Sequence, residues 1–87
     1  MKFNAPNSYT DDPGILILED GDPSIDEIKR VFRNKGLEVT QKASSVDLEI
    51  TIAKPKGFLE KIFIGIISQA TYILMQGEDA INELKNS

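Results

Sequence analysis

Residues 37–52 read Leu37-Glu38-Val39-Thr40-Gln41-Lys42-Ala43-Ser44-Ser45-Val46-Asp47-Leu48-Glu49-Ile50-Thr51-Ile52. Val46, Leu48, Ile50 and Ile52 alternate with Asp47, Glu49 and Thr51, which is the period of a strand with one apolar and one wet face. Leu37, Val39 and Gln41 alternate with Glu38 and Thr40 in the same way. Only Ala43-Ser44-Ser45 separates the two runs, and so short a connection predicts an antiparallel hairpin. Pro55 ends the second strand, because it has no amide to donate.

On the N-terminal side, Gly36 is the expected left-handed stop of a helix. Ile25, Ile28, Val31 and Phe32 form its apolar stripe, and Lys29, Arg30, Arg33 and Lys35 face outward. Two caps fit: Asp22 with Pro23 at the first helical position, or Ser24 with Glu27 closing a capping box. Before it, Ile15 to Leu18 is an apolar run bounded by Pro13-Gly14 and by Glu19-Asp20-Gly21-Asp22-Pro23, which reads as a strand. Both of its faces are apolar, so it is either central or covered on its second face. Residues 1–13 carry Pro6, Asn7, Ser8, Asp11, Asp12 and Pro13 and read as a flexible or irregular arm, with Phe3 and Tyr9 as anchors to a domain over 14–87.

On the C-terminal side, Leu59, Ile62, Phe63, Ile66, Ile67, Ala70, Ile73 and Leu74 fall on one helical face. Ile81 and Leu84 stay in phase across Gly77. This predicts one helix from about Lys56 to about Lys85, kinked or frayed at Gly77. The whole is an α+β fold in β-α-β-β-α order, with a small three-stranded sheet and two helices on one face.

Composition limits the chemistry. The 87 residues include neither Cys nor His, which excludes disulfides, thiolate nucleophiles, zinc-finger ligation and a histidine base. No pair of carboxylates stands out from turn or solvent-facing positions, so no catalytic residue and no cofactor is expected. The net charge of −4 opposes non-specific binding to nucleic acid or to an anionic membrane. Residues 1–14 hold no apolar signal core, and Ile62 to Met75 is shorter than the about 20 residues of a membrane span. With no Cys in so small a domain, a cytoplasmic setting is expected.

The charge is unevenly placed. Residues 1–28 hold seven acids and one base, residues 29–61 eight bases and four acids, and residues 62–87 three acids and one base. Three surfaces follow. Glu19, Asp20 and Asp22 after the first strand are candidate oxygen ligands for a cation, although Ile25 and Val31 stand where a calcium loop needs Gly and Glu. Arg30, Arg33, Lys54 and Lys56, with Phe58 beside the lysines, are candidate phosphate contacts for nucleic acid. Ile64, Ser68, Thr71, Tyr72 and Met75 project away from the core face of the last helix, and a row of exposed apolar side chains marks a partner surface.

The run from Ile15 to Asp20, through the helix to Gly36-Leu37-Glu38-Val39, resembles the first β-α-β unit of response-regulator receiver domains. That resemblance implies Mg²⁺ at Glu19 and Asp20. It covers less than a third of the chain. Receivers also need an aspartate at the end of a later strand, where this chain has Thr51, Ile52 and Ala53. In organisation (strand, helix, extended chain, apolar C-terminal helix) the chain is similar to the effector-associated constant components of bacterial conflict systems. The expectation is a non-catalytic interaction module: an adaptor, inhibitor or accessory subunit, in a bacterial or phage conflict system, that binds protein and forms homo-oligomers. The alternatives are a nucleic-acid binder using residues 29–61 and a cation-regulated domain.

Overall fold

In the computed structural model the described residues are 1–6, 13–41, 47–53 and 68–86. They form β1 (Lys2–Asn4), β2 (Gly14–Ile17), α1 (Ile25–Asn34), β3 (Leu37–Gln41), β4 (Asp47–Ile52) and α2 (Gln69–Lys85). The α+β class stands, but the sheet has four strands, not three, in the order β1-β2-β4-β3 with every neighbouring pair antiparallel. The added strand lies in the segment read as an arm. Lys2, Phe3 and Asn4 pair with Ile17, Leu16 and Ile15.

Strands β2 and β3 run in the same direction with β4 between them, the split β-α-β arrangement. They are therefore not the paired parallel neighbours that a receiver-like unit requires. The β3–β4 hairpin has the register Leu37↔Ile52, Val39↔Ile50 and Gln41↔Leu48. Position parity then puts Leu16, Leu37, Val39, Leu48 and Ile50 on one face, where all five are buried. Both helices cover that face: Ile28, Val31 and Phe32 of α1 and Tyr72, Ile73, Ala80, Ile81 and Leu84 of α2 complete the core. The opposite face of β2 carries Ile15 and Ile17, half-buried, between Lys2 and Asn4 of β1 and Asp47 and Glu49 of β4.

Helix α1 is capped by Ser24, whose Oγ accepts from the Glu27 amide at 3.3 Å. It stops at Lys35 and Gly36, whose amides donate to Phe32 O and Arg33 O. Gly36 has φ +84°, and a β-carbon there would collide with the Tyr72 hydroxyl. Ala53 N donates to Gly36 O at 3.0 Å and fastens the end of β4 to the same corner.

Helix α2 begins at Gln69, and residues 54–67, where an earlier start was expected, lie outside the described residues. Ser68 is extended (φ −66°, ψ 154°), and its Oγ accepts from the Thr71 amide at 3.1 Å, which caps the helix that starts at Gln69. A serine side chain that satisfies a free first-turn amide makes a helix start that hydrophobic periodicity cannot register. Nor does α2 break at Gly77, which is buried mid-helix. A β-carbon on Gly77 would lie 2.5 Å from Phe3 Cζ, and one on Gly14 would lie 3.3 Å from Phe3 Cε2. The Phe3 ring thus sits in a slot with a glycine on each wall, and this slot draws the N-terminal residues onto the sheet edge.

Candidate interaction surface

The exposed part of α2 follows from its turn angle. Ala70, Ile73, Gly77, Ala80 and Leu84 take the core side. At 100° per residue, Thr71, Leu74, Glu78, Ile81, Asn82 and Lys85 then form a flank turned toward β1. Leu74 and Met75 are the large hydrophobic residues left exposed among the described ones, at 39% and 48%. Leu74 was expected on the core face. One residue past the buried Ile73, it is turned onto the flank, where it lines the groove beside Phe3.

Leu74 lines an open groove of about 380 Å³ between the edge strand and α2. Met1, Phe3, Leu74 and Ile81 make its apolar lining, and Glu78, Asn82 and Lys85 its polar rim. Glu78 and Lys85 are exposed and have no ion-pair partner among the described residues.

The residues expected at an interface separate. Ser68, Thr71 and Met75 are exposed on α2, with Ser68 and Thr71 also sharing the cap and a 2.7 Å side-chain hydrogen bond. Tyr72 is corrected: it is buried, with its ring over Gly36 and its hydroxyl directed at Lys35 O, 3.5 Å away. It turns toward α1 because Gly36 leaves a space there that no other residue type would leave. Ile64 lies outside the described residues.

The acidic loop has a structural occupation. Asp22 Oδ2 accepts from the Glu19 amide at 2.7 Å, and Oδ1 accepts from the Met1 amino group at 3.1 Å. The Glu19 amide holds the Asp22 carboxyl below the ordinary carboxylate range; partial burial opposes this and the Met1 ammonium adds to it. Gly21, at φ +88°, permits the turn. Glu19 and Asp20 are exposed, and no three acidic, histidine or cysteine side chains come together as metal ligands among the described residues.

Of the basic candidates, Arg30 lies 3.9 Å from Glu27 on the same helix, and Arg33 is exposed. Lys35 reaches Glu83 of α2 at 3.8 Å. Lys54 and Lys56 lie outside the described residues, so no basic patch can be traced through them. Among the described residues no helix is long and apolar enough to cross a membrane.

Searches against protein-family models, curated proteins and solved structures found no match to this chain.

Proposed function

We propose that this protein is a non-catalytic interaction module, an adaptor, inhibitor or accessory subunit that binds another protein through the exposed flank of α2. One observation carries the reading: the exposed Leu74, next in the chain to the exposed Met75, lines a groove with Met1, Phe3 and Ile81. Apolar side chains grouped beside a concave, polar-rimmed surface are what a protein partner buries at the centre of an interface. Ser68 and Thr71 continue the surface at the start of the helix. The acidic residues of 11–27 and the basic residues of 29–61 would each orient an approaching partner of the opposite sign. The organisational likeness to components of bacterial conflict systems and the cytoplasmic setting belong to the same proposal.

The test is the double substitution Leu74→Asp with Met75→Asp. Both side chains are exposed, so thermal stability should stay within about 0.5 kcal/mol of the parent. Proteins retained from the native host by the parent and lost by this variant, with unchanged circular dichroism, support the reading. Equal retention by both removes it.

A further inference from the structure

We infer that the occupant of this surface is a second copy of the chain, paired so that its α2 runs antiparallel to the first; the inference rests on the interaction reading above. The charge pattern on the flank points to it. Glu78 and Lys85 line the same groove, both exposed and both without an ion-pair partner among the described residues. They stand seven residues apart, which on a helix is about 10.5 Å along the axis and about 20° around it. Opposite charges placed this way on one stripe are self-complementary in only one sense. A parallel copy sets Glu78 against Glu78 and Lys85 against Lys85. An antiparallel copy, with a two-fold axis passing between Ile81 and Asn82, sets Glu78 against Lys85 of the second copy, and symmetry repeats the contact.

The floor of the groove fits the same arrangement. Ile81, at the floor of the groove, lies beside the axis, and the short polar Asn82 lies across it. Leu74 and Met75, one turn beyond Glu78, lie past the end of the second copy's helix, where only the aliphatic stem of its Lys85 can reach toward them. The competing register, centred near Glu78, would bury Leu74 and Met75 more fully but brings the two Glu78 carboxylates face to face. The contact is one helix flank and a shallow groove, so the dimer belongs with small, weak, reversible interfaces.

The experiment is a charge swap read by sedimentation equilibrium on the full chain, from micromolar to near-millimolar concentration at low salt. The parent should move with concentration from its single-chain mass of 9.7 kDa toward twice that value. Glu78→Lys alone and Lys85→Glu alone each replace two attractions by two repulsions and should weaken association about tenfold or more. Mixed in equal amounts, these two variants have opposite charges at both contacts and should associate as the parent does. The doubly substituted E78K/K85E chain should do the same. Glu78→Gln with Lys85→Gln should keep the parent's melting temperature and lose the salt dependence of association, which covers the case of a reversed charge that perturbs the fold.

A parent that stays at single-chain mass throughout overturns the inference. So do single swaps that associate like the parent, or a mixture that associates no better than its components. Such a failure is distinct from failure of the interaction reading. A monomeric parent whose partner proteins are still lost with the Leu74→Asp and Met75→Asp pair leaves that reading in place and changes only the occupant.

Discussion

Gly77→Ala should destabilise this protein, although the same change in the middle of an ordinary helix stabilises it by about 1 kcal/mol. The reason is the Phe3 ring. The new β-carbon would lie 2.5 Å from Cζ and 2.7 Å from Cε1, well inside van der Waals contact, and Gly14 and Ile73 close the other side. The ring must lift into the open groove and take β1 with it. Such overpacking costs about 1–3 kcal/mol. Set against the propensity gain, the net loss is about 1 kcal/mol, or roughly 4–8 °C of melting temperature for a domain this size. In a Phe3→Ala background the obstruction is gone, and Gly77→Ala should raise stability by about 1 kcal/mol. The sign reversal is the assay: urea unfolding of the four chains of the cycle, with a coupling energy of about 2 kcal/mol expected. If Phe3→Ala folds too weakly to measure, Phe3→Leu shortens the ring and should still reduce the penalty. A stabilising Gly77→Ala in the parent, or the same shift in both backgrounds, would refute the slot as the cause of the N-terminal strand.

Gly36→Ala and Gly21→Ala should differ, because both residues have positive φ but only Gly36 faces an obstacle, the Tyr72 hydroxyl. Thermal melts should show a loss of about 1 kcal/mol at Gly21, and at least twice that at Gly36. Ser68→Ala removes the α2 cap and should cost about 1 kcal/mol, with a drop in helical circular dichroism on warming. Asp22 has a depressed carboxyl pKa in the folded state, so its contribution is fully present above the ordinary pKa of 3.8 and is lost as pH falls through the lower folded value. Denaturation between pH 5 and pH 2 should therefore show the parent converging on Asp22→Ala at the acid end, from an advantage of about 1 kcal/mol at neutral pH. Parallel curves for the two chains would exclude Asp22 as the linked group.

The elements legible in the sequence were those with a local signal. Period two marked β3 and β4, the Ser24 cap and Gly36 marked both ends of α1, and two turn clusters bounded β2. What was missed depends on contacts far apart in the chain. Lys2-Phe3-Asn4 has one apolar residue and no period to detect. It becomes a strand because glycines at 14 and 77 shape a slot for its ring. The helix runs through Gly77 as its apolar phase predicted, and only the kink or fraying expected there is absent; the packing of Gly77 on Phe3 has no local signal. The start of α2 at Ser68 was hidden by apolar residues that keep helical phase across it. Of the residues expected at an interface from excess hydrophobicity and turn angle, Ser68, Thr71 and Met75 are exposed, and Ile64 lies outside the described residues. Tyr72 was misplaced because its pocket is made by Gly36 on another element. Leu74 was misplaced because it lies at the margin of the apolar face, one residue past the buried Ile73.

Met1 and Lys85 line one groove. Any peptide grafted onto either end of this chain therefore stands at the mouth of the surface on which the functional reading depends. A purification handle left in place at the start or the finish would shield Leu74 and Glu78, or present its own residues to them. On the interaction reading proposed above, such a handle would mask the groove and make binding appear lost. Handles attached within a solvent-facing loop, or removed by cleavage before measurement, avoid that artefact.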